Sequence, residues 1–239
     1  MLGVIRFLKG ATPAAAAAAL LLAFSATPGL THGVASGDAV FLSTATGPQI
    51  GPYLYLGAKH MVTGYDHLLF LVGVIFFLYR LRDVTIYVTM FSIGHSITLL
   101  TGVLSHIWVS PFLVDAVIGL SVVYKALDNL GAFRTLFGVR PNTKIIVLMF
   151  GLVHGFGLAT KLQDLSLSAD GLVANMIAFN VGVELGQILA LSAILVAMTW
   201  WRSTTVFARQ AVAANVALMT AGFVLFEYQL AGYFIGAPA

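Results

Sequence analysis

Long apolar runs separated by short polar punctuation set the pattern of this chain. Six runs are long enough to cross a bilayer: Gly57–Tyr79, Val84–Leu104, Pro111–Leu127, Thr143–Leu162, Leu172–Trp201 and Val206–Phe234. A spanning helix needs ~20 mostly apolar residues. Ahead of these runs, Arg6 and Lys9 precede the short apolar stretch Ala14–Phe24, and small residues follow between Ser25 and Ala35. That order reads as an export signal over residues 1–35, with cleavage expected; retained, it makes a seventh helix. The segment Thr27–Gly51 is rich in Gly, Ser and Thr and reads as a flexible extracytoplasmic lead-in. The predicted organisation is a signal (1–35), a lead-in (36–56) and a transmembrane domain (57–239). The fold class is all-α, a polytopic membrane helical bundle.

Composition agrees with the pattern. Of 239 residues, 59% are hydrophobic and only 9% charged. An ordinary soluble domain carries about a quarter charged residues, so that class is excluded. The net charge of +3 is no sign of a nucleic-acid partner, because the basic residues sit at helix ends. Arg80 and Arg82 follow the first span, Arg134, Arg140 and Lys144 separate the third from the fourth, and Arg202 and Arg209 separate the fifth from the sixth. By the positive-inside rule these loops are cytoplasmic, and both ends of the mature chain lie outside. There is no cysteine, which removes disulfides, thiolate metal sites and thiol nucleophiles.

The chemistry concentrates in His60-Met-Val-Thr-Gly-Tyr-Asp-His-Leu-Leu-Phe70, at the front of the first span. An ionisable group at the centre of a spanning helix costs ~2.5–3.5 kcal/mol on insertion scales, so it usually faces the bundle interior. At ~1.5 Å rise per residue, Asp66, His67, His95 and His154 fall ~12–15 Å below the outer end of their spans, and Glu184 ~18 Å. Five groups from four helices are thus expected near the middle of a ~30 Å hydrocarbon core. Asp115 and His60 lie nearer the outer mouth, ~6 and ~4 Å deep, and Glu227 reaches ~10 Å on the last span. No lysine or arginine is expected at the depth of the acids. A buried carboxylate must then be answered by a protonated histidine, a proton or a bound cation. Imidazoles beside carboxylates suit Ni, Co, Zn, Fe or Mn.

Several assignments stay open at this level. His60 and His67 share a helix face but stand ~10.5 Å apart along a straight axis. His60 reads as an entrance ligand, unless Gly64 breaks the helix and lets both hold one ion. Asp66 points ~100° away from His67, as a ligand or as the acceptor that fixes an imidazole on a neighbouring helix. Asp115 reads equally as an acid complementing the dipole of a helix begun at Pro111. Asn180, Glu184 and Gln187 form a polar stripe in which the two amides serve equally as packing contacts. His106 reads as an interfacial loop residue and His32 as a disordered one. Gly151 with Gly155, and Gly182 with Gly186, suit close helix contacts.

The strings HMVTGYDHLLFL (60–71), FSIGHSITL (91–99), VDAVIGLSVVYKALDN (114–129), FGLVHGFGLA (150–159) and FNVGVELGQ (179–187) resemble the HupE/UreJ family of hydrogenase- and urease-associated membrane proteins. The resemblance implies a signal-bearing, six-span protein of the bacterial inner membrane that transports nickel or cobalt. It also implies hydrogenase or urease maturation proteins as partners. Carried onto this chain, the implied functional positions are His60, Asp66, His67, His95, His154 and Glu184. Asp115 departs from the family pattern, which has glutamate there.

Two functions follow. A permease would move Ni or Co from periplasm to cytoplasm, with His60 and Asp115 collecting the ion and the midplane cluster binding it. No phosphate-binding G-x-x-x-x-G-K-[ST] loop is present to power it with ATP. The alternative is an intramembrane zinc-hydrolase-like enzyme, in which three histidines leave an open coordination position and Ser92 or Ser96 helps polarise a substrate. The cytoplasmic half favours the enzyme, since it offers a moving ion little beyond Ser121, Tyr124, Asn215 and Thr220. A metal sensor or accessory subunit is a third reading.

Overall fold

The computed structural model describes residues 36–139, 141–165 and 167–236. The export signal and His32 lie outside the described residues, as does Arg140. Among the described residues the chain is all-helical: α1 (Ser36–Thr44), α2 (Ile50–Thr63), α3 (Tyr65–Ile75), α4 (Leu81–Leu104), α5 (Pro111–Asn129), α6 (Ala132–Phe137), α7 (Thr143–Gln163), α8 (Leu172–Arg202) and α9 (Phe207–Ile235). Helices α4, α7, α8 and α9 are long and apolar enough to cross a membrane. Their ends fall within a few residues of the predicted boundaries. The first predicted span is instead two pieces, α2 and α3, meeting at Gly64. The third, α5, has spanning length but carries Asp115, Lys125 and Asp128.

The lead-in differs from expectation. Instead of a flexible stretch, it holds α1 and the start of α2, with Leu42 and Tyr53 buried. Its backbone is docked by a side chain of α8. The Gln49 backbone N–H donates to Asn175 Oδ1 at 2.6 Å, and Asn175 Nδ2 returns a bond to the Gly47 carbonyl at 3.0 Å. Lys59 Nζ meets Asp38 Oδ2 at 2.7 Å and ties α1 to α2.

The bundle is built from three tight helix pairs: α2 with α8, α4 with α7, and α5 with α9. In lipid, helices gain little from apolar contact alone, and close backbone approach over small residues takes its place. Glycines line all three seams. A Cβ on Gly182 would overlap the Leu54 carbonyl, and one on Gly186 would lie 2.6 Å from the Ala58 oxygen. Across α4 and α7, a Cβ on Gly94 would lie 2.5 Å from the Leu148 carbonyl oxygen, while Gly151 and Gly155 press on the carbonyls of Phe91 and His95. Gly119 and Gly222 do the same between α5 and α9. Both glycine pairs singled out in the sequence therefore sit at contacts.

The short helix α3 lies among these pairs, touching α2, α4, α5, α8 and α9. Its far end is held by Arg202, whose guanidinium donates to the carbonyls of Ile75, Phe76 (2.7 Å) and Leu78 (3.1 Å). Asn129 Nδ2 bonds the Gly73 carbonyl at 2.9 Å and Asn215 Oδ1 at 2.9 Å, bringing α5 and α9 to that same end. The arginine-bearing turns thus gather at one end of the bundle.

The seams give a stability test. Gly182→Ala should destabilise the protein by ~1–3 kcal/mol, the usual cost of overpacking. Gly51→Ala, where nothing lies within 4 Å, should be neutral or slightly stabilising. Thermal unfolding of both variants in detergent micelles reads the contrast, and equal melting temperatures would contradict the packing.

Candidate metal centre

The centre forms where α2 gives way to α3. Gly64 closes one helix and opens the next, with φ −70° and ψ 97°. Its N–H still bonds the His60 carbonyl at 2.9 Å, and its own carbonyl accepts from Leu68 N–H at 3.0 Å. The turn between them swings the chain. His60, in the last turn of α2, and His67, in the first turn of α3, come to 5.1 Å between ring centroids. A straight helix would hold them ~10.5 Å apart along its axis. The position also needs a missing side chain: a Cβ on Gly64 would stand 2.8 Å from His67 Nδ1.

Asp66 engages the imidazole next to it on its own helix. Its carboxylate folds back on its neighbour: Oδ1 accepts the His67 backbone N–H at 2.6 Å and stands 3.0 Å from His67 Nδ1. With Nδ1–H aimed at the carboxylate, the Nε2 lone pair is the one presented to a ligand. Asp66 also sits in the first turn of α3, where the helix dipole favours negative charge.

Two further histidines arrive from the α4–α7 pair. His67 lies 6.0 Å from His95 and 5.1 Å from His154, ring centre to ring centre. Gly94 and Gly155, each adjacent to one of these histidines, let the two backbones close. The rings of Phe91 and Phe70 wall the group, with Phe91 4.9 Å and Phe70 5.6 Å from His154. Asp66, His67, His95 and His154 are at most 3% exposed, while His60 is partly exposed. Two overlapping sets have ligand atoms within 4.8 Å of one another and could hold a metal ion: His60, His67 and His95, and Asp66, His67 and His154. His95 is the most telling member. Both its ring nitrogens are buried without a hydrogen-bond partner among the described residues. Leaving such groups unmet costs about 1–3 kcal/mol each, and a coordinated cation would offset that cost at one of the two.

Not every predicted residue joins. Glu184 is exposed on the outer face of α8, beside Val181, Leu185 and Ile188. The reason is rotational: Gly182 and Gly186 turn one face of α8 onto α2, and Glu184 lies ~200° round from Gly182. Asn180 and Gln187, on the same helix, are buried. Gln187 Oε1 accepts from Ser92 Oγ at 2.8 Å, a contact joining α8 to α4. Glu227 is exposed on α9, and His106 is exposed in the turn after α4.

Asp115 requires a correction. No basic residue was expected at its depth, yet Lys161 Nζ donates to Asp115 Oδ2 at 2.7 Å. Lys161 stands in the last turn of α7, and its long stem reaches inward. Both residues line a small cavity of about 10 Å³ together with His60, His67 and His154. That is room for about one water-sized body.

A model of the HupE / UreJ protein family matches residues 36–237. The chain belongs to the HupE/UreJ family. The match extends past both ends of the motif-bearing stretch, His60–Gln187, and takes in α1 and α9. No curated protein and no solved structure matches the chain. Family and helices together make this HupE/UreJ protein a multi-pass membrane protein with His and Asp groups suited to a metal ion.

Sequence reasoning named Ser121 as a lone polar position but missed its contact with the cluster and the pair beyond it. Ser121, fully buried on α5, places Oγ 3.5 Å from His154 Nε2. Farther along α5, Lys125 Nζ meets Asp128 Oδ2 at 2.5 Å, and Thr143 Oγ1 reaches the same oxygen at 3.3 Å. Ser121, Lys125 and Asp128 recur at helical spacing on one face, a signal readable in advance.

The turn at Gly64 is open to test. Gly64→Ala should leave the helix content unchanged but lower the affinity for divalent metal by about 10–100-fold, the range seen when a ligand's support is lost. Calorimetric titration with Ni(II) and Co(II) checks it; unchanged affinity would separate the turn from the site.

Proposed function

We propose that this HupE/UreJ protein is a six-span permease carrying nickel or cobalt from the outer side of the bacterial inner membrane to the cytoplasm. The broken α2–α3 unit and α5 supply the two spans beyond the four long apolar helices. The observation that carries the reading is the convergence of four buried or partly buried imidazoles and the Asp66 carboxylate at a helix interruption. Interrupted helices are where secondary transporters place ion sites. Neutral imidazoles and carboxylate oxygen suit Ni(II) and Co(II), and the chain offers no thiolate.

Direction follows from charge. The arginine-bearing turns mark the cytoplasmic end by the positive-inside rule. The cavity holding His60, Asp115 and Lys161 lies toward the opposite end, with the α7 C-terminus. An ion entering there would pass His60, bind among His67, His95 and His154, and leave past Ser121. From Ser121 the α5 stripe continues through Lys125 and Asp128 to Asn129 and Asn215. That stripe supplies inward polar positions beyond the few expected, which supports movement over hydrolysis. Energy would come from a gradient or a partner protein.

Cells expressing Asp66→Asn or His67→Ala should lose nickel and cobalt accumulation while the protein is present in the membrane at normal levels. Accumulation that survives both substitutions would refute transport through this site.

A further inference from the structure

The Lys161–Asp115 pair shares the cavity with three of the histidine-cluster residues, yet metal binding by that cluster does not use it. Its side chains are 12% and 9% exposed, so the charges meet away from bulk water. Lys161 stands on the same face of α7 as His154, two turns on and ~10.5 Å farther along the axis. Between them Gly157 adds no side chain to the cavity wall.

We propose that the Lys161 ammonium is a tethered cation that occupies the Asp115 side of the cavity until a divalent metal ion displaces it. The inference rests on the metal reading and names the residue that regulates entry to that site. Serving both charges at once is disfavoured for Asp115, because an ammonium and a metal ion on one carboxylate repel each other in a poorly screened space. The displaced lysine has somewhere to go. It sits in the last turn of α7, where the helix dipole favours a cation, and Asp164 lies one turn on at the exposed end.

Charge counting explains the selectivity this would impose. With the pair closed, the charge of Asp115 is already met by Lys161. With Lys161 withdrawn, Asp66 and Asp115 together balance a doubly charged ion held by neutral imidazoles. A monovalent ion would replace one positive charge by another and gain little. The exchange therefore favours divalent over monovalent cations.

Calorimetric titration of the purified full chain in detergent with Ni(II) and Co(II) tests this, using wild type, Lys161→Met, the Lys161→Met/Asp115→Asn double variant and His67→Ala. Lys161→Met should bind either metal at least about tenfold more tightly than wild type, the size of a typical coupling between competing ligands. The double variant should lose that gain. Lys161→Gln carries the same expectation if the methionine variant is not monodisperse. If wild type binds, His67→Ala does not, and neither lysine variant binds more tightly, the tethered-cation role is overturned while the metal site stands. If wild type and His67→Ala bind alike or not at all, the metal site falls and the role of Lys161 falls with it.

Discussion

The site depends on an interruption of helical backbone at Gly64. Breaking a helix inside a bilayer is costly because no water is present to take the released N–H and C=O groups. Here the interruption is kept small and its groups are met locally. The Gly64 N–H and carbonyl retain partners four residues either way, and the His67 N–H is taken by the Asp66 carboxylate. The same carboxylate oxygen faces His67 Nδ1. One acid therefore both completes the backbone of α3 and orients the imidazole at its start. Structure and metal chemistry are joined at a single atom, Asp66 Oδ1.

The glycine seams do the complementary work of bringing the other ligands close. Packed helices stand ~8–10 Å apart axis to axis, and they must approach this tightly for short imidazole side chains on different helices to meet. Between α4 and α7 this is achieved by Gly94, Gly151 and Gly155 against facing carbonyls, next to His95 and His154 themselves. The α2–α8 seam has a different consequence: it fixes the rotation of α8 and so sends Glu184 outward while burying Gln187. Identical packing chemistry thus delivers two histidines to the centre and withholds a glutamate from it.

Much of this was legible in the chain. Apolar run length located α4, α7, α8 and α9 because a span is nearly self-defining in composition. Depth along each run brought together Asp66, His67, His95 and His154, since rise per residue is the same for all helices. Rotation was not legible, because it is set by the partner helix, and Glu184 was assigned inward on depth alone. Long side chains were the other blind spot. Lys161 begins at the end of α7, but its four-carbon stem delivers the charge to Asp115. The lead-in looked flexible by composition, whereas Asn175, distant in sequence, supplies the bonds that dock it.

Helix α5 shows why the lysine–aspartate pairs belong to the architecture as well as to entry. Asp115, Lys125 and Asp128 on one spanning helix would each be costly in lipid if left alone. Lys125 and Asp128 answer each other within the helix, one turn apart. Asp115 has no such neighbour on α5 and draws its partner from α7. Something must therefore answer the Asp115 charge at every stage, whether an ammonium, a metal ion or a proton. In the closed arrangement it is Lys161, and a site that releases its lysine without receiving a metal ion or a proton would strand a buried carboxylate. The coupling between loading the centre and moving Lys161 then needs no separate device, because the low dielectric favours it.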